Sequence, residues 1–198
     1  YHNIMFALVE SGSITKMLNG NKGIQIGDLK YPRAIYTLWT EAERNAIGIY
    51  TVEYDDSNKK DEQWYINTNQ SYAFADNKVT ASYGSATAKA HADVNAVDED
   101  GNELDPVVVI PGLKTILIRQ VKSQAESELN KTDWYITRKS EKNTAIPSAI
   151  TTHRDAVRSK QASMETAITN ASDTPALETL YTRNDSGVRP LGDIPILE

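Results

Sequence analysis

Cysteine is absent from this chain, which excludes disulfides, thiolate nucleophiles and cysteine-ligated metals together. Histidine is scarce: His2, His91 and His153 stand far apart, and none lies at ligand spacing from another histidine, which argues against a zinc centre. Long apolar runs are also missing. The stretch Ile4 to Val9 falls far short of the roughly 20 residues that span a bilayer, so no membrane insertion is expected. Basic residues are in the minority, 21 Lys and Arg against 27 Asp and Glu, for a formal net charge of -6. A phosphate backbone would need a local basic patch, and the nearest candidates, Lys59-Lys60 and Arg138-Lys139, have acids within a few residues. No nucleic-acid partner is expected.

What is present suits a water-facing protein with a core. The 198 residues are 39% hydrophobic, with a mean hydropathy of -0.50, enough for one or two domains. The lack of cysteine fits synthesis in a reducing cytoplasm, and no signal peptide supports secretion. The Asn-x-Ser/Thr sequences at Asn69, Asn130, Asn170 and Asn184 are then chance products of an Asn- and Thr-rich chain.

The residue patterns predict an α+β fold. Residues 1–83 read as a β-rich domain. Ile4 to Val9 and Ile14 to Leu18 form an opening hairpin across Glu10-Ser11-Gly12-Ser13, and further strands run over Ile49 to Tyr54, Gln63 to Ile66, Ser71 to Phe74 and Lys78 to Tyr83. One short helix interrupts them, since Thr40 and Glu43 make a capping box ahead of Gly48. Residues 84–111 form a polar connector with a hairpin tip at Gly101-Asn102 and a strand over Val107 to Ile110. Its alanines, Ala86 to Ala92, are compatible with a helix or an extended run. Residues 112–182 form a helical module, and residues 183–198, punctuated by Gly187, Pro190, Gly192 and Pro195, an extended arm.

Within the module, Leu113, Leu117, Val121, Ala125 and Leu129 recur at helical spacing after Pro111-Gly112, giving one apolar face. Trp134 and Ile136 alternate with Tyr135 and Thr137, which predicts a short extended piece, and Ser140 to Thr144 a turn. Pro147 opens a second helix in which Ile150, Val157, Met164 and Ala171 are spaced by seven, with Ile168 on the same side. Such a narrow seam needs a partner surface. Thr174-Pro175 opens a last short helix with Leu177, Leu180 and Tyr181.

The ordered set Thr132-Asp133-Trp134, Arg138, Ala145-Ile146-Pro147, His153-Arg154 and Val157-Arg158 resembles the tail assembly chaperone and tail-fibre assembly proteins of bacteriophages. The resemblance covers about a third of the chain. The passage Trp39 to Val52 is also similar to a segment near the starts of phage tail and fibre proteins. The resemblance implies a non-enzymatic virion protein of the tail, baseplate or fibre attachment, made in the bacterial host cytoplasm and acting by contacts with other tail or fibre proteins, as a homo-oligomer within the assembly. A tail-fibre assembly chaperone not retained in the virion is the alternative, and a host-receptor-binding module a second one.

Chemistry of other kinds finds little footing. Asp98, Asp100, Asn102 and Asp105 suggest calcium, but an EF-hand needs glycine sixth and glutamate twelfth. Here glycine is fourth and Val109 twelfth, so a solvated turn is expected. No Gly-x-Ser-x-Gly elbow or phosphate-binding loop occurs, and Glu41 and Glu43 point in different directions on a helix. No catalytic residue, metal or cofactor is expected. The candidate interface residues are Trp134, Arg154, Arg158, Val157 and Met164 in the helical module, with Trp64 and Tyr72 among the N-terminal aromatics Trp64, Tyr65, Tyr72, Phe74 and Tyr83. Aromatics of this kind serve cross-strand packing or interface anchoring. Arg154 and Arg158, one turn apart, share a face and could hold one carboxylate, with Asp155 and Glu165 as local partners.

Overall fold

Alternation in the first ten residues already sorts the N-terminal sheet into two faces. The computed structural model describes residues 2–198, and the chain divides into two compact units, Tyr1–Thr87 and Ala88–Glu198. The fold is α+β, with strands dominating the first unit and helices the second.

In the first unit, β1 (Phe6–Glu10) and β2 (Ser13–Leu18) form the opening hairpin. Its tip, Ser11-Gly12, holds φ values of 50° and 78°, the left-handed pair that a two-residue hairpin turn requires. After β3 (Ile24–Ile26) and β4 (Leu29–Tyr31), the chain makes α1 (Ile35–Leu38) and α2 (Glu41–Ala46). The capping box of α2 is formed: Glu43 N donates to Thr40 Oγ1 and Thr40 N to Glu43 Oε2. Two short helices therefore stand where one was expected. At four residues α1 is too short to show a helical period, and it is anchored instead by its buried Ile35 and Tyr36.

The chain then runs through β5 (Ile49–Asp55), β6 (Tyr65–Ile66), β7 (Ser71–Ala75), β8 (Lys78–Ser82) and β9 (Thr87–Ala88). The main sheet has the order β2-β1-β5-β8-β7, antiparallel except where β5 runs parallel to β8. Its outer strands β2 and β7 approach each other, so the sheet curls. On one face Phe6, Leu8 and Ile49 pack with Ile24, Ile35 and Tyr36. On the other, Ala7, Val52, Val79 and Ala81 are buried under a ring of half-buried side chains that includes Tyr50, Tyr54, Tyr72 and Phe74.

In the second unit the connector forms a ribbon, β10 (Val94–Asn95) paired antiparallel with β11 (Val109–Ile110). A bridge between Val97 and Glu103 continues the pairing towards Gly101, whose φ of 85° turns the tip. The alanine stretch forms no helix. Asp93, at the ribbon base, accepts from Gly112 N and Thr115 Oγ1 at 2.7 and 2.6 Å, so a residue twenty positions upstream in round terms, rather than a neighbour, caps the next helix. Both bonds hold the Asp93 carboxyl below its usual range, the Thr115 hydroxyl most. Gly112 is required here, because an added Cβ would lie 2.4 Å from the Ala92 backbone.

Four helices follow: α3 (Leu113–Asn130), α4 (Asp133–Lys142), α5 (Ser148–Asn170) and α6 (Thr174–Tyr181). The bond from Lys114 Nζ to Thr169 O, and the pairs Lys122 with Glu165 and Glu128 with His153, show that α3 and α5 run antiparallel. The seams of both helices are buried, Leu113, Leu117, Val121 and Ala125 on α3 and Ile150, Val157, Met164 and Ile168 on α5. The partner surface that the α5 seam needs is thus supplied within the chain. Residues 183–198 hold no helix or strand, yet Leu191 is buried, its N–H donates to Leu180 O, and Arg183 holds Asp193 through two bonds of 3.0 and 2.7 Å.

The segment Trp134 to Thr137 is the clearest departure from expectation, since it is helix rather than strand. A four-residue alternation is too brief to settle the period, and the ends of the segment carry the helical signal. Asp133 lies in the first turn and Lys139 and Lys142 in the last, matching the helix dipole at both ends. Asn143, with a φ of 52°, closes α4 as a left-handed cap.

Candidate protein interface

The junction of α3, α4 and α5 is built around Arg154. Its side chain is buried, and its Nη1 donates to Leu129 O at 2.8 Å and Thr132 Oγ1 at 2.7 Å, with Asp133 Oδ1 at 2.9 Å. Thr132 is 1% exposed. Arg154 therefore adds a bond to Leu129 O, which also accepts from Thr132 N and Oγ1, satisfies the buried Thr132 hydroxyl and ties the start of α4 to α5. Thr132, Asp133 and Arg154, about twenty residues apart in sequence, make one hydrogen-bonded node.

A second node lies beside it. Glu128 is 5% exposed, and its carboxylate contacts Lys131 Nζ at 2.6 Å, His153 Nε2 at 3.0 Å and Leu197 N at 2.8 Å. The Lys131 bond, followed by the Leu197 N–H and the Lys131 charge, hold this carboxyl below the usual glutamate range against the opposing effect of burial. Sequence reading passed over Glu128 in favour of Leu129, which is only half-buried. A carboxylate on the buried stripe, three residues after Ala125, was the available signal. A group with a depressed folded-state pKa stabilises above its unfolded value, about 4.3 for glutamate, and that contribution is lost as pH falls through the folded value. The stability difference between the native chain and Glu128→Gln is therefore expected to be full near neutrality and to shrink below about pH 4. Urea titrations of both proteins across that range check this, and a difference that stays constant with pH would contradict it.

The nodes leave α4 with an open outer surface. Trp134 is 51% exposed and Ile136 43%. The Trp134 and Tyr135 rings stack at 3.8 Å, and the Arg138 guanidinium lies over both, 4.9 and 5.3 Å from their centroids, within cation–π range. Ile136 borders a shallow cleft of about 160 Å³ with Ile146, Thr151, Arg154, Asp155 and Arg158. An exposed Trp with a half-buried Arg stacked on it combines the residue types that anchor protein interfaces.

The structure separates the remaining candidates. Val157 is 0% and Met164 1% exposed, so both are intramolecular core rather than interface, because α3 covers the seam. Arg154 is structural, with Asp133 rather than Asp155 or Glu165 as its carboxylate partner. Arg158 is exposed, 3.5 Å from Asp155; the two arginines do not clamp one carboxylate. In the first unit Trp64 and Tyr65 are buried and Tyr72 is half-buried against the second sheet face, so these rings serve packing. Trp134 and Arg158 are the candidates that remain on an open surface.

Among the described residues no group of three or more His, Asp or Glu side chains could hold a metal ion. Asp98 instead accepts from Asp100 N and Asn102 N within its own turn. No described helix is long and apolar enough to cross a membrane. No protein-family model, curated protein or solved structure matches the chain.

Proposed function

We propose that this chain is a non-enzymatic structural protein of a bacteriophage tail, baseplate or fibre attachment, which acts by presenting the α4 surface to another protein of the particle. The observation that carries the reading is the α4 junction. The residues that resemble phage tail assembly proteins converge there: Thr132, Asp133 and Arg154 form the support, and exposed Trp134, with half-buried Arg138 stacked on it, forms the surface that the support holds in place. A buried polar node beneath a rigid aromatic patch is the arrangement expected of a preorganised interface. A tail-fibre assembly chaperone would use the same surface transiently, and retention in the particle distinguishes the two.

The test is genetic. Phage unable to make this chain should form particles lacking a tail part, and Trp134→Ala supplied in trans should restore them poorly while remaining folded. Full restoration by Trp134→Ala would remove α4 from the reading.

A further inference from the structure

The ribbon of β10 and β11 carries an unusual surface for a part of a folded chain. Val94, Val97, Val107, Val108, Val109 and Ile110 are all about half exposed. A two-stranded ribbon open on both faces is marginal alone in water, and Val94 paired with Ile110 gives one of those faces an exposed apolar surface, the kind that marks an interaction site. Its charge is equally one-sided. Between Asp93 and Ile110 there are six carboxylates, Asp93, Asp98, Glu99, Asp100, Glu103 and Asp105, and no Lys or Arg.

That charge selects the occupant. Two ribbons laid side by side would bring their carboxylates together, and like charges opposed across strands destabilise the pairing. The α4 surface has the opposite character. Trp134, Arg138 and Lys142 follow one another at four-residue steps along one helical stripe, with Trp134 about half exposed. It offers half-exposed Trp134 beside two cations, with Glu141 as a single carboxylate on the same side, whereas the ribbon offers apolar area tipped by anions alone.

We propose that the ribbon of one copy docks on the α4 surface of a second copy, head to tail, with Val94 and Ile110 against Trp134 and its acidic tip against Arg138 and Lys142. The contact uses two different patches, so it closes into a ring or extends as a filament according to the rotation between copies. This goes beyond the reading of the chain as a tail protein and is tested apart from it, because self-association is read on the purified chain while particle membership is read on virions.

Sedimentation velocity of the purified chain over a concentration series, at low and high salt, measures the contact. Association is expected at low salt and should weaken by about tenfold or more at high salt. Reversing the tip (Glu99→Lys with Asp100→Lys) or the face (Arg138→Glu with Lys142→Glu) should each weaken it by about 100-fold, with unchanged circular dichroism. Combining both reversals in one chain should restore association. A native chain that stays monomeric at low salt overturns the proposal. So does association that is indifferent to the face reversal, which would indicate ribbon-to-ribbon pairing, or a doubly reversed chain that stays apart.

Discussion

Met164→Ala is expected to destabilise the second unit by about 2–5 kcal/mol, the range for truncating a buried Leu, Ile or Met side chain. Met164 is 1% exposed and lies on the α5 seam between Val157 and Ile168, both fully buried, so the surrounding side chains can collapse only partly into the space it leaves. The loss should appear in urea unfolding followed by the helical circular dichroism signal. The same variant, examined well below its unfolding midpoint, should keep the native association behaviour, because the seam is covered by α3 and is not an outer surface. A variant of native stability with altered association would return Met164 to an interface.

Arg154→Ala should cost about 1–3 kcal/mol, the range for leaving one buried polar group without its partner. The acceptor that loses its donor is Thr132 Oγ1; Leu129 O keeps its bonds from Thr132 N and Oγ1, and Asp133 is about half exposed and can turn to water. Arg158→Ala, one turn away but exposed and paired only with exposed Asp155, should change stability by less than about 0.5 kcal/mol. Lysine at 154 should recover little, because its shorter stem does not bring its ammonium to the point where the three acceptors converge. Parallel urea curves for the three variants check the ranking, and equal effects at 154 and 158 would contradict it.

The two arginines show where sequence reading runs out. Their spacing puts them on neighbouring turns of one helix, and periodicity alone gives them the same environment. Only the placement of Leu129 and Thr132 from elsewhere in the chain buries one and leaves the other in water. The α5 seam was legible because a seven-residue repeat of apolar side chains has one physical solution, a covered stripe; that the cover is α3 of the same chain depends on tertiary contacts. The opening hairpin and the α2 capping box were legible because their signals lie within a few residues of one another. The helical state of α4 was obscured by a brief alternation of apolar Trp134 and Ile136 with hydroxyl-bearing Tyr135 and Thr137, and its end signals, Asp133 and Lys142, outweigh it. Asp93 as the cap of α3 depends on a partner 19 residues away, and Glu128, besides its local Lys131, on partners 25 and 69 residues away, which no local pattern reveals. Trp134 and Arg158 are the site residues that the sequence singled out and the fold leaves open.

The most direct measurement is quantitative mass spectrometry of gradient-purified phage particles, with peptides of this chain scaled to those of the major tail protein. The account predicts a fixed copy number per particle, in a simple ratio that reflects ring or fibre symmetry. Absence from purified particles, with the chain abundant in infected cells, would contradict it and make the protein an assembly chaperone.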